Sequence, residues 1–163
     1  MRMTPITSKK NQYALRAVFE LAKRRGTGPT KISDIAEAQS IPVRFLEVIL
    51  NKLKGSGMID AKRGFYGGYY LTRAPKQIRV ADIMNFMQAP PKQEMCAACL
   101  AKTKCAYGHR CAFSAMWNQV NRAVLQVYNE TTIQDLLDND RQLQGKPRSP
   151  STRHLKTQQG RSL

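Results

Sequence analysis

Only three residues, Ser40-Ile41-Pro42, separate two short amphipathic segments of this chain, and a spacing that small leaves few ways to fold. The first segment runs from about Ser33 to Gln39 and the second from Val43 to Lys54, where Gly55-Ser56-Gly57 ends it. Ser33 is expected to cap the first helix, because a hydroxyl at that place can accept from an amide of the opening turn. Helices joined so closely must cross steeply, as in a helix-turn-helix. Met58 to Lys62 and Tyr69 to Leu71 then read as strands, and Arg63-Gly64-Phe65-Tyr66-Gly67-Gly68 turns between them to make a wing.

The flanking segments extend this plan. From Asn11 to Arg24, the residues Tyr13, Ala14, Ala17, Val18, Leu21 and Ala22 recur at helical spacing, and Gly26, Gly28 and Pro29 break the pattern. Val80 to Met87 offers a further short helix, and the cysteine-bearing stretch after it lacks regular periodicity. Ala112 to Asn129 forms a long helix striped by Phe113, Met116, Trp117, Val120, Val124 and Val127. That stripe suits a dimer contact, although it could also cover the chain's own core. Thr131 with Gln134 suggests a capping box for a last short helix to Leu137. The expected fold is mainly α with a small β wing. It divides into a winged helix-turn-helix region (1–88), a cysteine-rich loop (89–111), a dimerisation helix with a following short helix (112–139), and a disordered basic tail (145–163).

Charge narrows the partner. The chain carries 27 Lys and Arg against 11 Asp and Glu, net +16, which calls for a polyanion. Residues 1–76 hold 15 basic and 5 acidic side chains, so the polyanion belongs on the first half. On a wheel of Val43–Lys54, Phe45, Leu46, Ile49, Leu50 and Leu53 take one side, and Arg44, Glu47, Asn51 and Lys54 take the other. A helix about 12 Å across fits the major groove, where Arg can pair with guanine, Glu with cytosine and Asn with adenine. Lys52 and Lys54 suit phosphates, and Arg63 beside Gly64 suits a phosphate or minor-groove contact from the wing. Tyr66, Tyr69 and Tyr70 read as packing residues. Duplex DNA is the expected partner, with an RNA-binding or basic protein-interaction module as the rival. There is no apolar run of signal-peptide or membrane-spanning length, so a cytoplasmic protein without a membrane partner is expected. The two histidines, His109 and His154, and the lack of a phosphate loop or nucleophile motif argue against an enzyme.

Cys96, Cys99, Cys105 and Cys111 stand as Cys-x2-Cys-x5-Cys-x5-Cys. Thiolates crowded in this way repel one another unless a cation binds them or they oxidise. Zinc favours two closely spaced pairs and only one is present, while the longer gaps suit an iron–sulfur cluster. Thiol redox switching stays open beside both metals.

The chain resembles the dimeric winged-helix transcriptional regulators of the IscR, NsrR, RirA and CymR type over residues 6–139. The marks are Thr7-Ser8-Lys9 followed by Tyr13-Ala14, then Phe45-Leu46-Glu47, Arg63-Gly64 with Gly67-Gly68-Tyr69, and Cys99, Cys105 and Cys111 with Trp117 six residues on. The resemblance implies a homodimer built on helix 112–129 and a palindromic DNA site. It also implies a 2Fe-2S or 4Fe-4S cluster whose state, altered by iron supply, redox change or nitric oxide, sets DNA affinity, and a repressor is the expected role. By the same resemblance Arg44 and Glu47 read bases and Arg63 makes the wing contact. There are departures: Ser114 stands where one branch has a cluster-binding histidine, and Asn11 and Gln12 stand where another has an acid. Cys96 is the first substitute as fourth ligand, then His109, then Gln12. Pro42 replaces a serine common at the start of the reading helix.

Overall fold

The computed structural model describes residues 8–87 and 111–145. Cys96, Cys99, Cys105, His109 and the basic tail from 146 onward lie outside the described residues.

Helix α1 (Lys9–Lys23) opens on Ser8, whose Oγ accepts from the Asn11 amide at 3.3 Å. Its inner face is Ala14, Ala17, Val18, Leu21 and Ala22, mostly small residues that let the helices around it approach closely. Helix α2 (Ile32–Gln39) starts earlier than the sequence suggests. Lys31 takes the cap position, and its carbonyl accepts from the Asp34 and Ile35 amides at 3.1 and 3.2 Å. Ser33 is therefore not the cap: it lies inside the first turn and donates to the Asp34 carboxylate at 2.9 Å. Packing of Ile32 against the core draws the helix start back to that residue.

The short turn works because Ser40 adopts a left-handed conformation (φ 50°, ψ 48°), which reverses the chain in one residue. Its neighbour Ile41 then donates back to Ala36 at 2.9 Å. Pro42 precedes helix α3 (Val43–Lys54), and its carbonyl accepts from Phe45 and Leu46. Proline suits this place because its fixed φ costs nothing there and its missing N–H is not needed. Leu46, Ile49, Leu50 and Leu53 are buried as expected. Phe45 is not: it is 64% exposed, because it lies about 100° round the helix from Leu46, beyond the buried arc.

Strands β1 (Ile59–Lys62) and β2 (Gly68–Leu71) pair antiparallel with Ile59 opposite Leu71 and Lys62 opposite Gly68. Thr30, just before α2, pairs with Tyr69 through two reciprocal backbone hydrogen bonds of 2.8 Å, which ties the hairpin to the helical body. A 3-10 turn, Pro75–Gln77, not evident in the sequence pattern, leads to helix α4 (Val80–Met87).

Helix α5 (Ser114–Glu130) follows, then α6 (Ile133–Gln144). The cap of α6 is Thr132 with Asp135, one residue beyond the expected Thr131 and Gln134, and the helix continues past Leu137 to Gln144. Thr131 is already committed to α5, donating its hydroxyl to Val127 at 2.8 Å. Backbone bonds from Val80 to Thr131 and from Ile133 to Ile78 hold that junction extended, so α6 cannot begin sooner. Its polar far end lies along α1, with Lys23 and Asp140 paired at 3.1 Å.

The core gathers Val18, Ile35, Leu46, Leu50, Leu53, Ile59, Leu71, Ile78, Ile83 and Ile133, with at least one residue from every α-helix and strand except α5. No residue of α5 is buried, and Phe113, Met116, Trp117, Val120 and Val127 are all exposed. The stripe on this helix therefore does not cover the chain's own core. Helix-turn-helix, hairpin and bracing helices make a winged helix-turn-helix, mainly α with a small β wing.

Candidate nucleic-acid interface

Because α3 buries one arc of leucine and isoleucine, its opposite arc is forced outward. Arg44, Glu47, Asn51 and Lys54 are all exposed there, with Val48 among them. Two long cations, one carboxylate and one amide on a single helical face are donors and acceptors of the kind that can read base edges. Lys52 departs from the expectation for it. Its ammonium donates to the Met87 carbonyl at 3.2 Å and lies 6.0 Å from the Phe86 ring. It thereby satisfies the C-terminal end of α4, where a cation is favoured, rather than pointing along the reading face.

Behind α3, a polar brace fixes the angle between α1 and α2. Glu20 is buried and accepts from Arg24 at 2.6 Å and from Gln39 at 2.8 Å, and Arg16 reaches Gln39 at 3.4 Å. Every buried side-chain polar atom among the described residues is partnered.

The wing stands beside this face. Tyr69 is half-buried, and its phenol is held above the ordinary tyrosine range first by burial and then by the Glu47 carboxylate. Glu47 on the exposed face of α3 is thus near enough to the base of the wing to act on it. At the tip, Arg63 and Gly64 are exposed, and Gly64 has φ +109°, which a side chain would strain. The Gly67 amide donates to the Gly64 carbonyl at 2.9 Å, and a Cβ on Gly67 would lie 2.3 Å from the Lys62 carbonyl oxygen. Only glycine fits that turn.

Phe65 and Tyr66 are 81% and 83% exposed, with rings stacked edge to face at 5.0 Å. Tyr66 is thus no packing residue, and Tyr70 is exposed too, so of the three wing tyrosines only Tyr69 packs against the core. The Lys31 ammonium lies 5.3 Å from the Phe65 ring. Sequence reasoning missed Phe65 and Lys31 as surface features. The signal was present: two aromatics confined between Gly64 and Gly67 in a tight turn have no core within reach.

Of the four cysteines, Cys111 alone falls among the described residues, partly exposed and three residues ahead of α5, with its carbonyl accepting from the Ser114 amide at 3.1 Å. No group of three potential metal ligands occurs among the described residues. No helix among them is long and apolar enough to cross a membrane.

Comparison with known proteins agrees with this geometry. Residues 7–139 match the family model Rrf2, described as an iron-dependent transcriptional regulator. The HTH-type transcriptional regulator CymR of Bacillus subtilis is 30% identical over 79% of this chain and 87% of its own length. Its structure, described as that of the global cysteine regulator, superposes with a TM-score of 0.67 over 84% of this chain and 98% of that one. The HTH-type transcriptional regulator IscR of Xenorhabdus nematophila is 29% identical over 96% of both chains. The structure of T. potens IscR superposes with a TM-score of 0.70 at 27% identity, covering 86% of this chain and 92% of that one. These relatives are transcriptional regulators and not enzymes.

Proposed function

From membership of the Rrf2 family of transcriptional regulators, to which this chain belongs, we propose that it acts in the cytoplasm as a homodimeric repressor on palindromic DNA, controlled by an iron–sulfur cluster. The DNA reading rests on one observation above all. Arg44, Glu47 and Asn51 stand exposed on one face of α3, and Glu47 is near enough to Tyr69, in the wing that carries the exposed Arg63, to act on its phenol. Arg44 and Glu47 read base edges in the major groove, Lys54 meets phosphate, and Arg63 with Gly64 reaches the flanking backbone or minor groove.

The dimer reading is supported by α5. A helix exposing Phe113, Met116, Trp117 and Val120 needs a partner, and a second copy offers the same stripe about a two-fold axis. Two heads related in that way read inverted half-sites about 34 Å apart.

Cys99, Cys105 and Cys111, with Cys96 as fourth donor, are the residues that would hold the cluster, 2Fe-2S or 4Fe-4S. Their donor chemistry fits, since closely spaced soft thiolates suit iron–sulfur clusters. When bound, such a cluster supplies a centre sensitive to iron supply, redox state and nitric oxide. The cysteine segment is bracketed by two mechanical attachments of this chain. At one end Lys52 of α3 holds Met87, the last residue of α4, and at the other the Cys111 carbonyl accepts from Ser114, the first residue of α5. Rearrangement of the thiols therefore bears on both the reading helix and the dimer helix.

A second reading, thiol oxidation or zinc binding without a cluster, is favoured by the 30% identity to CymR, whose structure is described as that of a cysteine regulator.

The test is anaerobic isolation of the full chain, with an absorption spectrum, metal and sulfide analysis, and selection of duplexes from a randomised pool. Brown protein containing iron and sulfide is expected, with loss of the colour in Cys99→Ala. It should select inverted repeats and bind them with an affinity that changes on chelation. Colourless protein with stoichiometric zinc, or with no metal and a DNA affinity that answers to thiol oxidants, transfers the sensing role to the second reading. Selection of no duplex overturns the DNA reading.

A further inference from the structure

We propose that Phe65 and Tyr66 form an apolar wedge at the wing tip that enters the minor groove of duplex DNA and partly unstacks one base step. The proposal rests on the DNA reading above and adds to it a contact of a different chemistry from the charged one at Arg63.

Two adjacent large aromatics, each more than four-fifths exposed, leave a concentrated apolar point in water that contributes nothing to the core. The tip is built to hold them out. The Gly67–Gly64 backbone bond closes the turn, and a side chain at Gly67 would collide with the Lys62 carbonyl. The strands below are pinned to the body through Thr30 and Tyr69. The two rings stand edge to face at an interplanar angle of 86°, so one presents its face where the other presents its edge. Rings that already pack against each other have less side-chain freedom left to lose on insertion.

The surroundings identify the occupant. Lys31 lies over the Phe65 ring, and the exposed Lys62 and Arg63 immediately precede the turn in sequence, so three cations accompany the apolar point. An apolar point collared by positive charge is complementary to a groove whose floor is stacked bases and whose rims are phosphates. The scale agrees for a side chain rather than for the strand pair, since an aromatic ring about 3.4 Å thick enters edge-on a minor groove about 6 Å wide. Apolar side chains wedged between base steps from the minor groove partly unstack them and kink the duplex. Pyrimidine–purine steps yield most easily to this, so the wedge confers sequence preference at a step where no base edge is read.

The experiment uses the full chain isolated anaerobically, duplexes that this protein selects from a randomised pool, and 2-aminopurine placed at the wing-facing step. The native protein is expected to brighten 2-aminopurine and to prefer a pyrimidine–purine step over an A-tract at that position. In the double variant Phe65→Ala/Tyr66→Ala the brightening and the step preference should vanish. Affinity should fall about tenfold or more. The salt dependence should stay the same, because no charge is removed. The circular dichroism and thermal transition of the variant should match the native protein, since neither ring is buried. Unchanged affinity and brightening in the double variant overturn the wedge while leaving the DNA reading intact. So does a change in the variant's mass by light scattering, which would assign the rings to a protein contact. A native protein that selects no duplex overturns both.

Discussion

Replacing Gly68 by alanine tests how the wing is held. A Cβ at this position would lie 2.3 Å from the Thr30 carbonyl oxygen and 2.5 Å from its carbon, against 3.4 Å or more for ordinary contact. Backbone must therefore retreat by about 1 Å, and the obstructing carbonyl is one of the two groups that bond Thr30 to Tyr69. Losing two backbone hydrogen bonds costs about 1 kcal/mol each, and the steric strain adds about 1–3 kcal/mol. The sum, about 3–5 kcal/mol, is a large part of a typical domain's stability of about 5–15 kcal/mol. Urea unfolding followed by circular dichroism should show that loss, with a fall in Tm of roughly 10–20 °C. Gly64→Ala in the same hairpin is the comparison. It also needs a positive φ, but nothing lies within 4 Å of its Cβ, so backbone strain of about 1–2 kcal/mol is the whole cost. If Gly68→Ala costs no more than Gly64→Ala, the Thr30–Tyr69 clamp does not hold the wing and the reasoning fails.

Glu20→Ala should cost about 2–3 kcal/mol in urea unfolding, because the charged acceptor shared by Arg24 and Gln39 is removed; a loss below about 0.5 kcal/mol would mean the brace between α1 and α2 is idle. The Thr132 hydroxyl, and then its amide, hold the Asp135 carboxyl below the usual carboxylate range. A depressed folded pKa means that this contribution is present above about pH 3.9 and lost as pH falls through the folded value, so Asp135→Asn should flatten the acid limb of the helicity profile. Lys54→Ala should reduce the salt slope of DNA binding by about 1, as a phosphate contact requires. Lys52→Ala should leave that slope unchanged and speed amide exchange at the end of α4, and an equal drop in slope for both would place Lys52 on the phosphates after all.

The helical part of this fold is legible in the sequence because each element carries its own apolar period and its own stop. The buried arc of α3 and the small-residue face of α1 follow from spacing alone. What spacing could not supply are pairings between distant backbones. The Thr30–Tyr69 bridge joins residues with no side-chain signature for it, and the Arg79–Thr132 bridge likewise decides where α6 begins. Ser33 and Thr131 were plausible caps by residue type, but Ile32 packing and the α5 junction had already taken the backbone groups that they would have served. For the proposed site, the exposure of Arg44, Glu47, Asn51, Lys54 and Arg63 was legible because it follows from what their neighbours bury. The contact of Lys52 was not, since its partner is a main-chain carbonyl 35 residues away.

On the proposed function, the same backbone pairings link the parts of one small head that would read DNA to the parts that would respond. Tyr69 fastens the wing to Thr30, so the wing moves with the body that carries α2 and α3. Lys52 fastens α3 to the end of α4, and the Val80–Thr131 and Ile133–Ile78 bonds fasten the start of α4 to the junction of α5 and α6. Every element proposed to face DNA is thus connected by main-chain bonds or a single ammonium to the elements on either side of the cysteine segment. A coupling free energy of about 1–3 kcal/mol, the usual range between linked sites, asks only that a few such bonds differ between two states. On the proposed function, thiol chemistry at Cys111 would begin three residues from the helix on which the dimer would turn, so such a change would need no long path to reach both reading heads.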